Sequence, residues 1–197
     1  MEYVNFLISE KENTMDKEKN QNYGIQRTTF QNLSDEIILK ILSYVNVKDL
    51  FRCMAVNKKM RAIANDKSLW ISWHLTGEFP AELLKHILTR GCQYLSLHSC
   101  KILNTARFEE NYDLKYLNIF NCFVGTFDPF YCLAELSNSC RNLEKFSFGC
   151  SAISHKFQCL NFIRNNYGTL RVLCLKDYRF RHIVAYCSEL VELNIQG

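Results

Sequence analysis

One short pattern of apolar residues occurs five times in the second half of the chain and limits what the chain can fold into. Each occurrence reads apolar-x-x-apolar-x-apolar, and the first positions are Cys92, Leu114, Leu143, Leu170 and Leu190. Successive occurrences begin 22, 29, 27 and 20 residues apart. Because apolar and other residues alternate at the end of each occurrence, each predicts a strand with one buried face. Five such strands predict a structure built by repetition.

The segments between the predicted strands carry helical patterns. Residues 127–140 and 157–166 hold apolar residues at helical spacing, and residues 178–187 do so over a shorter length. Intervals of about 20–29 residues with one strand and one helix per repeat are typical of leucine-rich repeats, whose parallel strands line the concave side. An ordinary parallel-sheet α/β domain is the alternative. We predict the α/β fold class, with about five leucine-rich repeats over residues 92–197.

The last predicted repeat is incomplete. The sequence ends at Gly197, where a turn and a helix should follow the strand. A repeat array normally needs a polar cap at its end. A truncated product, a fragment and a naturally short array all remain open.

The chain contains ten cysteines, and the repeat explains half of them. Cys100, Cys122 and Cys150 follow predicted strands, while Cys140 and Cys187 precede strands by three residues, where a small apolar side chain suits a crowded turn. The closely spaced cysteine pairs of structural zinc sites are missing from the sequence, and so is a secretory signal. We interpret the cysteines as reduced and mostly buried in a cytoplasmic or nuclear protein without a metal or cofactor.

The first half of the chain has a different organisation. Residues 1–29 are predicted to be a disordered tail, because most of the segment is polar with mixed charges. Residues 30–75 predict three short amphipathic helices, the first capped by Ser34 and the others beginning near Lys48 and Asn57. Residues 76–91 are predicted to be a linker helix.

The three-helix segment resembles the F-box motif. Residues 33–38 read Leu-Ser-Asp-Glu-Ile-Ile, residues 49–50 Asp-Leu, residues 56–60 Val-Asn-Lys-Lys-Met and residues 68–70 Ser-Leu-Trp. The family pattern is Leu-Pro-x-Glu, Asp-Leu, Val-Cys-Lys-x-Trp and Leu-Trp, with the same spacing. Followed by the repeats, this segment makes the chain similar to the F-box/leucine-rich-repeat family.

Three residues depart from the F-box pattern. Ser34 replaces a Pro, which is a mild change because both suit a helix start. Asn57 replaces a Cys and Met60 replaces a Trp. The last two departures leave the affinity for an adaptor open. They also leave room for an alternative, a leucine-rich-repeat scaffold with a degenerate F-box that acts outside any ligase.

The resemblance implies a non-catalytic receptor subunit of a ubiquitin ligase. The F-box would bind a Skp-type adaptor, which is linked to a cullin and a RING protein, and the repeats would hold a protein substrate for ubiquitination and proteasomal degradation. It implies adaptor contacts by Leu33, Ile37, Ile41, Leu50, Val56 and Trp70. The alternative for each of these residues is a place in the helical core, and Trp70 could instead join the F-box to the repeats.

Strand geometry predicts the surface that would hold the substrate. Period-two alternation buries Leu117 and Ile119 and turns the intervening residues outward. Exposed aromatic residues are common anchors of protein interfaces. We predict substrate binding by Tyr94, His98, Tyr116, Asn118, Phe120 and Lys145, with a merely solvated face as the alternative.

Other classes of function have weaker support. The cysteine–histidine pairs His155 with Cys159 and His98 with Cys100 could place a base beside a nucleophile, but no phosphate loop or nucleophile motif accompanies them. The formal charge is only +4, and the Lys58, Lys59 and Arg61 cluster is typical of a solvated helix face, which disfavours nucleic-acid binding. No apolar stretch approaches the roughly 20 residues of a membrane span.

Overall fold

The computed structural model describes residues 30–124, 129–149, 156–176 and 186–195. The chain divides into two compact units, Met1–Leu69 and Trp70–Gly197. Several predictions lie outside the described residues: the tail over residues 1–29, the position of Cys150, most of the helix over residues 178–187, and the end of the chain at Gly197.

The described part of the first unit is helical. Helix α1 spans Asp35–Leu42, α2 spans Val47–Val56 and α3 spans Lys58–Ala64. Short 3-10 turns over Phe30–Asn32 and Lys67–Leu69 flank them. The three helices lie where the apolar spacing predicted them.

Asparagine side chains begin two of these helices. The Oδ1 atom of Asn46 accepts a hydrogen bond from the backbone N–H of Asp49 at 3.0 Å, and that of Asn57 accepts one from Met60 at 2.8 Å. Such caps satisfy backbone donors that lack a partner within the helix. Ser34 occupies the N-cap position of α1, as predicted, but its side chain makes no capping hydrogen bond. Its hydroxyl bonds instead to the Glu36 carboxylate, and this bond lowers the pKa of Glu36.

The core of the first unit is small. It consists of apolar side chains from the three helices, chiefly Ile38, Leu42, Leu50, Met54, Met60, Ile63 and Ala64. A unit with so few buried residues gains limited stability from its own core.

The second unit contains a parallel sheet. Its strands are β1 Ser72–Phe79, β2 Tyr94–Ile102, β3 Tyr116–Phe120, β4 Phe123–Val124, β5 Lys145–Gly149, β6 Val172–Leu175 and β7 Glu192–Ile195. Six of them lie side by side in the order β1-β2-β3-β5-β6-β7, and β4 pairs with β2 beyond the end of β3. The order of these six strands follows the chain, so each of the six pairs with the one of them that precedes it.

Strand β1 was not predicted. The F-box was expected to end at residue 75 and a linker helix to cover residues 76–91, but residues 72–79 form a strand and the helix α4 spans Ala81–Thr89. Gly77 interrupts the alternation with a φ of 75°, at an irregularity in the pairing with β2. Because Gly77 breaks the alternation of apolar and polar residues, the sequence pattern did not predict this strand.

The connections between strands are of two kinds. Helices α4, α5 over Pro129–Ser139 and α6 over Lys156–Asn165 occupy the segments where helices were expected. Residues 103–115, all of them described, contain no helix, so the expectation of one helix per repeat fails there. That segment is held instead by buried Phe108 and Tyr112, and the N–H of Tyr112 donates to the carbonyl of Ser139 at 2.9 Å.

The same backbone arrangement recurs where each strand joins the sheet. One carbonyl accepts two consecutive N–H groups of the next strand, with N···O distances between 2.8 and 3.0 Å. The five accepting residues are Ile71, Gln93, Lys115, Glu144 and Arg171. This recurrence makes the unit repetitive in its hydrogen bonding as well as in its sequence.

Among the described helices, none has the length and apolar content needed to cross a lipid bilayer.

Candidate protein-interaction surfaces

Helix α1 carries exposed apolar side chains. Ile37 and Ile41 lie four residues apart, and so on one helix face, and are 50% and 39% exposed. Tyr44, in the turn after the helix, is 77% exposed and lies beneath the Nζ atom of Lys40, 5.2 Å from the ring centroid. We call Ile37, Ile41 and Tyr44 the α1 stripe. The adjacent face of α1 is buried through Ile38 and Leu42.

Four of the six predicted adaptor contacts are accessible. Ile37 and Ile41 belong to the α1 stripe, and Val56 at the end of α2 is 67% exposed. Leu33 is half-buried, and its carbonyl accepts a hydrogen bond from the Nζ atom of Lys59 at 2.8 Å.

The prediction of adaptor contacts was wrong for two residues. The side chains of Leu50 and Trp70 are both fully buried. Leu50 lies in the helical core, so it cannot touch a partner without unfolding of that core. Trp70 begins the second unit, where its ring lies 5.8 Å from the ring of Trp73 and below the guanidinium of Arg90 at 4.8 Å. Trp70 is therefore part of the interior.

Several charged side chains of the first unit form bonds at its surface. Lys59 pairs with Asp35 at 3.1 Å, and the Nε atom of Arg61 donates to the carbonyl of Met54 at 3.0 Å. Hydrogen bonds from Arg52 and Asn46 lower the pKa of Asp49. Exposed ion pairs add little stability. In the Lys58, Lys59 and Arg61 cluster, Lys59 and Arg61 thus have partners within the domain.

The second surface is the outward face of the sheet, formed by alternate strand residues. The strand register sets three rows across it. The first row holds Tyr94, Tyr116, Lys145 and Val172, the second Ser96, Asn118, Ser147 and Cys174, and the third His98, Phe120 and Gly149. Between these rows, residues such as Leu117 and Phe146 point inward and are buried.

All six predicted substrate residues lie on this outward face. Tyr94, His98 and Lys145 are exposed, while Tyr116, Asn118 and Phe120 are half-buried. The alternation therefore placed them correctly, and their role in binding stays a prediction. It did not identify His74 on β1, whose ring lies 6.2 Å from that of His98, because β1 itself was missed.

Aromatic rings and lysines meet on the outward face. The rings of His98 and Phe120 stack at 5.0 Å with 17° between their planes. The Nζ atom of Lys176 lies 4.2 Å from the centroid of Phe120, and that of Lys145 lies 5.5 Å from the centroid of Tyr116. These distances are in the range of cation–π contacts, which hold each lysine in a defined place.

A glycine makes room for this arrangement. A Cβ atom built at Gly149 would lie 2.7 Å from the ring of Phe120 and 3.2 Å from the Cδ atom of Lys176. Beside it lies an open depression of about 300 Å³, whose lining includes Asn118, Ser147 and Cys174. No sequence signal marks this role, because Gly149 ends a strand at a place where a turn glycine is also common.

The described cysteines are mostly structural. The thiol of Cys100 donates to the carbonyl of Leu75 at 2.9 Å, and that of Cys122 donates to the carbonyl of Leu97 at 3.3 Å, one strand further on. Seven described cysteines are buried, while Cys53 and Cys174 are half-buried. Burial raises the pKa of three of these thiols, Cys92, Cys132 and Cys140, to about 12.

The geometry contradicts one predicted catalytic pair. Ser99 has a φ of 49°, a left-handed conformation that adds a residue to β2 and reverses its alternation. His98 is therefore exposed and Cys100 buried, and they do not share a face. In the other pair Cys159 is buried, and His155 lies outside the described residues. Within the described part of the chain, no three His, Cys, Asp or Glu side chains are grouped as metal ligands.

Comparison with known families agrees with the geometry of the first unit. Residues 30–76 match the F-box-like family. These residues form an F-box-like domain. F-box domains usually bind Skp-type adaptors and typically belong to non-catalytic subunits. No curated protein matches the chain.

Two of the residues that depart from the F-box pattern have structural roles within the domain. Met60, where the pattern has Trp, is 6% exposed and lies in the core of the F-box-like domain. Asn57, where the pattern has Cys, caps α3. Neither change removes an apolar side chain from the α1 stripe.

Proposed function

We propose that the chain is the substrate-recognition subunit of an SCF-type cullin-RING E3 ubiquitin ligase. The F-box-like domain would bind the Skp-type adaptor and, through it, the cullin and the RING protein. The second unit would hold a protein substrate for ubiquitination and proteasomal degradation. The observation that carries the proposal is the order of the parts, an F-box-like domain followed by a repetitive parallel sheet with an accessible face.

The adaptor would bind at the α1 stripe. Ile37, Ile41 and Tyr44 place apolar surface in water, which costs free energy that a partner can recover. Val56 extends the apolar character of the domain surface. The domain also has a small core, as expected of a unit that gains stability from a partner.

The second unit is proposed to be a leucine-rich-repeat solenoid. Its strands are parallel and follow chain order, and their hydrogen-bonded junctions recur at intervals of about 20–29 residues, as in that class. The thiols of Cys100 and Cys122 bond equivalent carbonyls on successive strands, so the turns recur as well. The buried side chain of Asn166 also links adjacent connections, accepting from Leu143 at 2.9 Å and donating to the carbonyl of Cys140 at 2.8 Å.

The chain itself would contribute proximity to the reaction. It would hold a substrate so that its lysines meet a ubiquitin-charged enzyme recruited by the other subunits, which raises the effective concentration of the reactants. Within the family, we propose a likeness to the S-phase-kinase-associated F-box receptor, resting on residues 68–77. We also propose a cytoplasmic or nuclear location, where cysteines stay reduced.

The second candidate function is a leucine-rich-repeat scaffold outside any ligase. Its support was the departure at Met60 from the F-box pattern. Because Met60 lies in the core, that departure leaves the α1 stripe intact and favours the ligase subunit over the scaffold.

A pull-down with purified Skp-type adaptor separates the two candidates. The full chain is expected to retain the adaptor, and adding the cullin and RING protein should yield one larger complex in size-exclusion chromatography. A folded chain that does not retain the adaptor would exclude the ligase subunit and favour the scaffold.

A further inference from the structure

Two lysines of the outward face are held over aromatic rings and have no ion-pair partner among the described residues. Lys145 and Lys176 lie over the rings of Tyr116 and Phe120, and neither forms an ion pair with a carboxylate of the described residues. Other lysines of the same unit do form such pairs, as Lys101 does with Glu78 at 3.0 Å. Among the described residues, no carboxylate competes with an anionic ligand for these two ammonium groups.

The spacing of the two lysines suits an extended peptide. Both ammonium groups lie over rings of β3, and Tyr116 and Phe120 are four residues apart on that strand. At roughly 3.3 Å per residue, the two positions on β3 over which the ammonium groups lie are about 13 Å apart along the strand. An extended peptide lying along β3 covers the same distance in four residues, and residues four apart point to the same side.

The surface between the lysines is polar. Asn118 lies midway on β3 and donates from Nδ2 to the Oγ atom of Ser96 at 3.3 Å, and Ser147 lies beside it on β5. A residue halfway between two bound anionic side chains would face these groups. A small or polar side chain fits that position better than a large apolar one.

The type of cation favours a carboxylate over a phosphate. Each lysine presents one point charge, whereas phosphorylated side chains are commonly held by arginine forks that donate two hydrogen bonds. Within the described strands, the outward positions contain no arginine. Aspartate and glutamate, with a single negative charge, match the single ammonium groups.

We propose that the outward face binds an extended, unphosphorylated segment of a protein partner with two acidic side chains four residues apart, one at Lys176 and one at Lys145. This inference rests on the proposed function, which assigns a protein substrate to the same face.

A display selection from random peptides tests the proposal directly. A library of randomised twelve-residue peptides is selected for binding to the full chain. Pairs of Asp or Glu four residues apart should be enriched at least tenfold over pairs three residues apart, which point to opposite sides of an extended peptide. Selection without enrichment of acidic pairs, or with no preference for this spacing, overturns the proposal.

Charge-reversal variants locate the binding site. Enriched peptides should bind K145E/K176E at least tenfold more weakly than the wild-type chain. The control K40E/K48E makes the same change of charge at exposed lysines of the F-box-like domain and should bind normally. Equal binding to K145E/K176E and the wild-type chain would contradict the assignment of the face.

Two further comparisons make the outcome specific. Synthetic peptides with paired glutamates, paired phosphoserines and paired glutamines should bind in that order. A phosphoserine peptide that binds more than tenfold tighter than the glutamate peptide would assign the face to phosphorylated segments and overturn the proposal. Adaptor binding is measured on the same preparations, so a chain that binds the adaptor but selects no acidic pair refutes this inference alone.

Discussion

Phe120 covers Gly149 on the neighbouring strand so closely that a Cβ atom at Gly149 would lie 2.7 Å from Cδ2 of the ring. The ring in turn lies 4.2 Å from the Nζ atom of Lys176 and stacks on His98. Because Gly149 has no side chain, the ring of Phe120 can contact both His98 and Lys176 on the outward face. Strand pairing, rather than sequence proximity, creates this arrangement.

Gly149→Ala should displace the Phe120 ring. We expect a loss of about 1 kcal/mol in the free energy of unfolding, measured by urea denaturation, because added volume must be accommodated by a shifted side chain. In the background of Phe120→Ala the same change should cost nothing. Gly168→Ala is the matched control, since a Cβ atom there meets nothing within 4 Å. A cost for Gly149→Ala that persists without the Phe120 ring would contradict this packing.

Asn166→Ala should destabilise the second unit strongly. The buried amide donates to the carbonyls of Cys140 and Phe162, both at 2.8 Å, and accepts from the N–H of Leu143 at 2.9 Å. Leaving such groups buried without partners should cost roughly 3 kcal/mol in urea denaturation. Asn165→Ala, which removes a less buried hydrogen bond to the carbonyl of Ser137, should cost far less. Equal costs for the two variants would refute the proposed link.

Trp70→Ala should also be severe. Trp70 is fully buried, so loss of its ring should lower the free energy of unfolding by about 3–5 kcal/mol. Tyr186→Ala, at an aromatic residue that is 74% exposed, is the control and should change the melting temperature little. An unchanged melting temperature for Trp70→Ala would mean that its side chain lies in solvent.

Native thiols should differ sharply in reactivity. The pKa values of Cys92, Cys132 and Cys140 are raised to about 12, so at pH 8 these buried thiols remain protonated. Among the described cysteines, Cys174, half-buried on the outward face, should react first with iodoacetamide. Mass spectrometry of the digested protein measures each rate. Modification of Cys140 as fast as Cys174 in the folded chain would contradict the burial.

Period-two alternation was sufficient to predict five strands and their outward residues. Four of these strands alternate buried and outward positions, such as buried Leu117 and Ile119 around Asn118. In β7 burial does not follow the alternation, since Leu193 is 45% exposed. Strand β1 lacked that clarity because of Gly77. The reversal at Ser99 was equally invisible, since a left-handed φ at a serine leaves no mark in an apolar pattern.

Helical spacing had a different limit. It groups residues on a face, but it does not say which face of a short helix is covered by the rest of the bundle. Ile37 and Ile38 are adjacent and equally apolar, yet one is half-exposed and the other buried. Leu50 and Trp70 were assigned to a binding surface by the resemblance to the F-box pattern, and helical spacing could not correct that assignment. Their burial depends on tertiary contacts that the spacing does not encode.

Isothermal titration calorimetry with purified adaptor tests the proposed binding of a Skp-type adaptor to the α1 stripe. The wild-type chain should bind with a one-to-one stoichiometry, and Ile37→Asp should weaken binding at least tenfold without changing the circular dichroism of the chain. Val191→Asp places the same charge at an apolar residue of the second unit that is 85% exposed, and it should bind like the wild type. No heat of binding for the folded wild-type chain, or equal affinity for Ile37→Asp and Val191→Asp, would contradict adaptor binding at the α1 stripe.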